Sequence, residues 1–410
     1  MSFNYKNDKL HCENVAIENI AKNFGTPFYL YSSEKFKDNF LGIKNSFKQD
    51  VTVCFAIKSC SNIAILKYLA SLGAGADTVS EGEVRRALIA GIAPEKIIFS
   101  GVGKTKEEIA FALENKIGQL NAESIEELDI INQVAKEKNL KAKISIRVNP
   151  DVDAVTHEKI TTGRKHDKFG IPWEEVVGIY QKAREFSNLE IEGLATHIGS
   201  QITSIEPYKK AFTKIAEMAQ NLKNLGFNLK RVDLGGGIGI KYKDENVISI
   251  SDYAQTIESL FNPLGLKIFI EPGRTIAADA GVLISEVQYI KHAGGRKFLI
   301  IDAGMNDLAR PAVYGAYHEI IAVNKNNQTE TYDVVGPVCE SSDIFGRERQ
   351  IDKLNNGDLV AIMQAGAYGT VMSSNYNSRG LLPEILVSGD DVKLIRKRQT
   401  FEEIISHEVY

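Results

Sequence analysis

LKRVDLGGGIG, residues 229–239, decides the fold by where it falls in the chain. Its consecutive glycines offer main-chain N–H groups with no side chains in the way, which suits a phosphate. It does not fit GxGxxG, because Ile240 stands at the last glycine position. Working outward, it is the seventh of eight β-rich runs: VTVCFAIKS (51–59), ADTVS (76–80), KIIFSG (96–101), GQLNAES (118–124), KAKISIRVNP (141–150), LEIEGLATHIGS (189–200), LKRVDLGGGIG and LKIFIEPGR (266–274). Between them lie stretches such as SNIAILKYLASLG, EGEVRRALIAG, IEELDIINQVAKEKN and EPYKKAFTKIAEMAQNLKNLG, whose apolar residues recur at helical spacing. Apolar strands alternating with helices imply a parallel sheet covered by helices. A doubly wound open sheet would place its glycine loop after the first strand. Here the loop follows the seventh, where barrels commonly hold phosphate. The prediction is a (β/α)8 TIM barrel.

The character changes after about residue 282. VLISEVQYIKHAG, KFLIIDAGM, TYDVVGPVC and DLVAIMQAGAYG are β-rich, separated by turn residues, with little helical periodicity. An all-β C-terminal domain, sandwich or barrel, is expected there. FYLYS (28–32) precedes the first barrel unit and is assigned to that same β-domain. The expected division is residues 1–34 joining the β-domain, 35–281 as the barrel, and 282–410 as the β-domain.

Composition narrows the function. Among 410 residues, 49 Lys and Arg stand against 53 Asp and Glu, a net charge of −4 with no basic block, so nucleic acid is not an expected partner. No apolar run approaches the roughly 18–20 residues of a membrane span. The polar opening MSFNYKNDKLHCEN is no secretory signal, so a cytoplasmic protein is expected. Cys12, Cys54, Cys60 and Cys339 form no CxxC pair and the seven histidines no HExxH, so neither a disulfide framework nor a metal site is expected. Cys54 and Cys60 read as small buried thiols.

In barrels the chemistry sits where strands end. Those positions carry Lys58, Asp77, Ser100, Arg147, His197, Ser200, Gly235, Gly236, Gly237, Glu271 and Arg274. Each has an ordinary reading: a solvated strand-end lysine, a glycine turn, a local Glu–Arg ion pair, a core histidine. Together around one barrel mouth they form a set that suits pyridoxal 5'-phosphate: an imine-forming amine, a phosphate cradle, an anion for the pyridinium nitrogen, and a flat group to stack on the ring.

FAIKS, ATHIGSQ, DLGGGIG, EPGR, VCES and GAYG, in that order over roughly residues 25–390, resemble the alanine-racemase-fold (fold-type III) pyridoxal-phosphate decarboxylases. HDKFGI (166–171) and the pair Arg310/Tyr314 in ARPAVYGAYH resemble the diaminopimelate decarboxylase branch. The resemblance implies that Lys58 carries the cofactor as an imine, His197 stacks on its ring and Glu271 keeps the pyridine nitrogen protonated. It implies cofactor contacts from Asp77, Ser200, Gly235, Gly236, Gly237, Gly273, Arg274 and Tyr368. Substrate contacts would come from Arg274, Arg310, Tyr314, Glu340 and Tyr368, with Cys339 as proton donor. Cys339 and Glu340 would cross the interface of a homodimer with shared sites. The implied reaction is decarboxylation of meso-2,6-diaminopimelate to L-lysine, the last step of lysine biosynthesis. Ornithine, arginine and carboxynorspermidine decarboxylases of the same fold are the alternatives; Arg310/Tyr314 favour a substrate with a distal carboxylate, which leaves carboxynorspermidine as the nearer rival. A racemase would need a second base, and the lysine motif lacks a tyrosine-rich continuation. Intact Lys58, Cys339 and Glu340 argue against a non-catalytic homologue.

Overall fold

The computed structural model describes residues 2–154, 162–163, 166–326 and 328–409. The chain divides into two compact units: residues 40–241 with 245–275, and residues 1–39 with 242–244 and 276–410.

The first unit is a closed barrel. Its strands, among the described residues, are β1 (Val51–Ala56), β2 (Gly75–Thr78), β3 (Ile97–Phe99), β4 (Gln119–Ala122), β5 (Ala142–Asn149), β6 (Leu189–Ala195), β7 (Arg231–Asp233) and β8 (Lys267–Ile270). Each pairs in parallel with the next, and β8 pairs with β1, with Ile268 opposite Val51. Closure leaves no sheet edge. The strands are shorter than the β-rich runs that announced them, because each run ends in loop residues. In the seventh, Gly235 and Gly237 take φ of +63° and +94°, which ends β7 at Asp233.

Several helices start where polar side chains satisfy their first N–H groups. Ser80 accepts from the N–H of Glu83, and Ser124 from that of Glu127; Thr105 and Glu108 form a reciprocal capping pair. Inside the barrel, Cys54, Ile98 and Phe269 form an apolar cluster. The guanidinium of Arg231 lies 5.3 Å from the Phe269 ring centroid and donates to Glu192 at 2.6 Å. Toward the strand C-termini the interior turns polar: Asp77, Asn121 and Asp233 are buried, and so is Gln119 at the start of β4. Polar groups are buried at such a cost only where they are paired or used.

The second unit is built on an extended sheet. Phe28–Ser32 lies between β9 (Gly281–Ala293), antiparallel to it, and β15 (Glu384–Ser388), parallel to it. Beyond β9 come β10 (Arg296–Ile301), β12 (Thr329–Val335) and β13 (Ile344–Asp352), while β16 (Asp391–Arg396) follows β15. β14 (Leu359–Ile362) bridges β9 and β11 (Ile320–Ala322). All five residues of Phe28–Ser32 are buried, which is why FYLYS is apolar without alternation. Phe28, Leu30, Val282, Ile284, Ala361, Ile385 and Val387 form the core with Leu10, Cys12, Ile17 and Ile20 of the N-terminal segment.

One buried carboxylate ties that segment down. Glu13 accepts from the Ser32 hydroxyl at 2.7 Å, from the N–H of Glu34 at 3.0 Å, and from the N–H of Gly389. Glu34 lies in the first turn of the helix Ser33–Lys44, so the carboxylate serves an open helix end as well. Glu13→Ala would strand these donors, and should lower unfolding free energy by about 2–4 kcal/mol in urea titrations. A loss below about 0.5 kcal/mol would mean that water replaces the carboxylate.

Candidate active site

Lys58 sits in the 3-10 turn Ile57–Ser59 directly after β1, where its side chain leaves the strand end rather than entering the core. Its Nζ meets Asp77 Oδ2, on β2, at 2.5 Å; Asp77 is fully buried and the lysine partly exposed. Gly273, beyond β8, packs against this turn: a Cβ there would lie 2.9 Å from Ser59 Oγ and 3.0 Å from Ala56 Cβ. Glycine at this position is therefore required for close packing against the lysine turn.

Two more carboxylates lie behind the lysine. Asp233, at the end of β7, is held by the N–H of Gly235 (3.1 Å), the Asn121 amide (2.9 Å) and the Gln119 amide (3.3 Å). Asn121 also donates to Ser100 Oγ at 3.0 Å. Glu271 follows β8 and is buried, and among the described residues no donor reaches its Oε1. Burial pushes the Glu271 carboxyl well above the usual carboxylate range, and the negative charges of Asp233 and Asp77 push it further. Burial raises Asp233 as well, against the hydrogen bonds from Asn121 and Gly235.

His197, after β6, lines the same cavity of about 330 Å³ as Lys58, Arg147, Asp233 and Glu271. Its Nδ1 accepts the N–H of Gly236 at 3.1 Å, so the ring proton belongs on Nε2. Burial, with the Arg147 and Lys58 cations nearby, holds the imidazole well below the usual histidine range. It is neutral at physiological pH. Arg147 is fixed in turn by Glu123 at 2.8 Å, whose other oxygen accepts the N–H of Gly170 in the HDKFGI stretch.

The glycine loop differs from a simple row of open amides. The N–H groups of Gly235 and Gly236 are engaged by Asp233 and His197. The glycines are needed for room: a Cβ on Gly235 would lie 2.5 Å from the Thr196 carbonyl, one on Gly236 would strike the Glu271 carbonyl, and one on Gly237 the Gly199 carbonyl. Beside the loop, Arg274 Nη2 donates to Ser200 Oγ at 3.1 Å, and Thr275 Oγ1 donates to the Ile238 carbonyl at 2.9 Å.

The remaining residues singled out in the sequence belong to the β-rich unit. Arg310 opens the helix Arg310–Tyr314 and is buried, while Tyr314 is half-buried at its end. Cys339 and Glu340 are exposed, on a loop organised from below by Asp343. That carboxylate accepts the N–H groups of Met305 and Val338, both at 2.7 Å. From the side, Asn377 Oδ1 accepts the N–H of Cys339 at 2.9 Å, and the Tyr376 hydroxyl donates to Glu340 Oε2 at 2.7 Å. Tyr368 holds φ of +57°, an uncommon conformation for a residue with a Cβ and one that clusters at functional sites.

Sequence reasoning missed Asp233 and Asn121 as site residues and Asp343 as the organiser of the Cys339 loop. Asp233 was legible as the polar residue ending an apolar strand beside the glycines. Asn121 and Asp343 carried no comparable signal.

A protonated pyridine ring with a phosphate arm fits this mouth. Glu271 Oε1 is a buried acceptor that a pyridinium N–H would satisfy, and Ser200, Arg274 and the Gly237 turn gather polar groups where side-chain bulk is excluded.

The raised carboxyls make stability depend on pH in a definite direction. Folded Glu271 retains its proton above the range in which an unfolded carboxyl, near about 4.3, has lost it, so its contribution falls as pH rises from there. In protein stripped of small molecules, Glu271→Gln should therefore raise the urea midpoint at pH 8, the gain shrinking toward pH 4. A gain independent of pH would contradict the raised carboxyl.

Comparison with known proteins gives the family. Residues 33–278 match the family model "Pyridoxal-dependent decarboxylase, pyridoxal binding domain". Diaminopimelate decarboxylase of Haemophilus influenzae is 46% identical over 406 residues, 98% of each chain. Among solved structures, diaminopimelate decarboxylase of Helicobacter pylori complexed with L-lysine superposes with a TM-score of 0.93 at 44% identity, covering 95% of this chain and 98% of that one. The M. jannaschii enzyme in co-complex with L-lysine gives 0.96 at 38% identity, covering 100% and 98%. With full-length likeness added to a lysine, a buried acceptor and a glycine cradle at one barrel mouth, the chain belongs to the pyridoxal-dependent decarboxylases, in the diaminopimelate decarboxylase family.

Proposed function

We propose that this enzyme removes carbon dioxide from meso-2,6-diaminopimelate, leaving L-lysine, as the last step of lysine biosynthesis, with pyridoxal 5'-phosphate as cofactor. The chemistry rests on Glu271, a buried carboxylate whose Oε1 is served by no described donor, in the cavity that Lys58 also lines. The full-length likeness to diaminopimelate decarboxylases supports the substrate.

Bound there, pyridoxal phosphate supplies an electron sink for the carbanion left when carbon dioxide departs. Lys58 would hold the cofactor through its Nζ. Asp77 Oδ2, at 2.5 Å from that Nζ, would take up or return a proton there. Glu271, raised while alone, would ionise against a pyridinium N–H and keep it protonated. His197 would pack on the ring as a neutral imidazole, adding no second cation beside that pyridinium. Ser200, Arg274 and the Gly237 amide would hold the phosphate, since Gly235 and Gly236 direct their N–H groups elsewhere. Arg310 and Tyr314 take the distal carboxylate, Glu340 the distal ammonium, and Cys339 returns a proton to the α-carbon. Tyr368 contacts cofactor and substrate. Cys339 and Glu340 serve the site of a partner subunit in a homodimer, the protein works in the cytoplasm, and the β-domain comprises residues 1–34 and 282–410.

Four measurements test these roles. Lys58→Ala should abolish cofactor absorbance near about 420 nm, and borohydride should label Lys58 and no other lysine. Arg310→Ala should reduce kcat/KM for diaminopimelate by about 100-fold, on the order of 3 kcal/mol, with cofactor content unchanged. Carbon dioxide release should be faster from diaminopimelate than from carboxynorspermidine, ornithine or arginine; the reverse order would hand the function to a related decarboxylase. Mixing Lys58→Ala with Cys339→Ala should restore some activity through hybrid dimers with one intact site. No recovery despite subunit exchange would count against shared sites.

A further inference from the structure

Arg310 is fixed by a residue to which the proposed reaction assigns no role. Its Nη1 lies 2.7 Å from Nε2 of His318, and His318 Nδ1 lies 2.8 Å from the main-chain carbonyl of Met363. Both side chains are buried, Arg310 6% and His318 0% exposed. A carbonyl only accepts, so Nδ1 carries the ring proton; Nε2 then has a lone pair and accepts from the guanidinium. The Met363 carbonyl thereby selects the one tautomer that serves Arg310. Tyr242 is part of the same mount. The guanidinium lies over its ring at 4.7 Å, and the His318 ring meets it edge-on at 5.5 Å.

We propose that His318 is a positioning residue for substrate recognition: it sets the plane of the Arg310 fork without neutralising its charge. This rests on the reading that Arg310 grips the distal carboxylate. A guanidinium matches a carboxylate bidentately only in a defined plane, so an unmounted Arg310 would have to lose rotamer freedom at each binding event. A carboxylate in place of His318 would orient the fork equally well, but it would compete with the substrate for the charge. A neutral imidazole orients and does not compete. The ordinary alternative is a core histidine whose bonds only satisfy buried groups; that role would affect every ligand alike.

The test uses the cofactor-loaded enzyme and two probes, L-lysine and 1,5-diaminopentane. Both carry an amine able to reach the cofactor, but only lysine has the carboxylate. Affinities are read from the change in cofactor absorbance. His318→Asn keeps a donor near the Met363 carbonyl but is too short to offer Arg310 an acceptor; His318→Gln restores an acceptor near the Nε2 position. His318→Asn should weaken lysine by about 10- to 100-fold while diaminopentane changes less than about 3-fold. KM for diaminopimelate should rise in parallel, with kcat nearly unchanged. His318→Gln should recover most of the loss. Equal weakening of both probes, unchanged lysine binding in a folded His318→Asn, or no difference between Asn and Gln would overturn the proposal. A wild-type enzyme that neither turns over diaminopimelate nor prefers lysine to diaminopentane would overturn the substrate reading, and the role of His318 with it.

Discussion

Three carboxylates crowd the mouth of one barrel, and the site is arranged around the difficulty of keeping them there. Asp77, Asp233 and Glu271 are all at least nine-tenths buried, with Lys58 as the cation paired to Asp77. Like charges about 4 Å apart repel by about 4 kcal/mol even at an effective dielectric of 20, so the group cannot ionise fully. The chain answers locally. Lys58 pairs with Asp77, two amides and a main-chain N–H serve Asp233, and Glu271 is left with a raised carboxyl and an unserved oxygen. Such an oxygen destabilises the protein by itself, and a cationic N–H donor placed there relieves it. The strain lies where the proposed function puts a pyridinium.

Two histidines, His197 and His318, work as neutral rings held in opposite tautomers. A main-chain N–H meets Nδ1 of His197, and a main-chain carbonyl meets Nδ1 of His318. One ring therefore carries its proton on Nε2, the other on Nδ1. Each lies near cations, Lys58 and Arg147 for the first and Arg310 for the second. A charged imidazole at either place would add to existing positive charge in a buried setting. The backbone fixes the protonation pattern, which makes it a property of the fold rather than of the solvent.

What the sequence revealed follows from how far each effect reaches along the chain. Strand-end residues are legible because parallel strands read as apolar runs and a polar residue at the end stands out; Lys58, Asp77, His197 and Glu271 were found this way. Glycines announce themselves, yet their use does not. DLGGGIG reads as a row of open amides, whereas two of its N–H groups serve Asp233 and His197, and its lack of side chains matters as much for clearance from neighbouring carbonyls. Asn121 was hidden because it meets Asp233 across 112 positions of sequence. His318 stood in a quoted motif and drew no attention, since its partner Met363 is fixed only by tertiary packing. The strand limits shifted for a related reason: the runs include loop residues whose conformation ends the ladder without changing the composition.

The Cys339 loop carries the same logic to the surface. Cys339 and Glu340 are exposed, so packing of their own side chains does little to fix them. Their order is supplied by neighbours. The Asp343 carboxylate gathers the N–H groups of Met305 and Val338, and a Cβ on Gly336 would run into that carboxylate. Asn377, at φ +55°, turns its amide oxygen onto the N–H of Cys339. A loop held this way gives up its conformational freedom on folding rather than at each encounter with a ligand, which keeps that entropy out of the binding step. Hence buried Asp343 governs how rigidly an exposed thiol and an exposed carboxylate are presented.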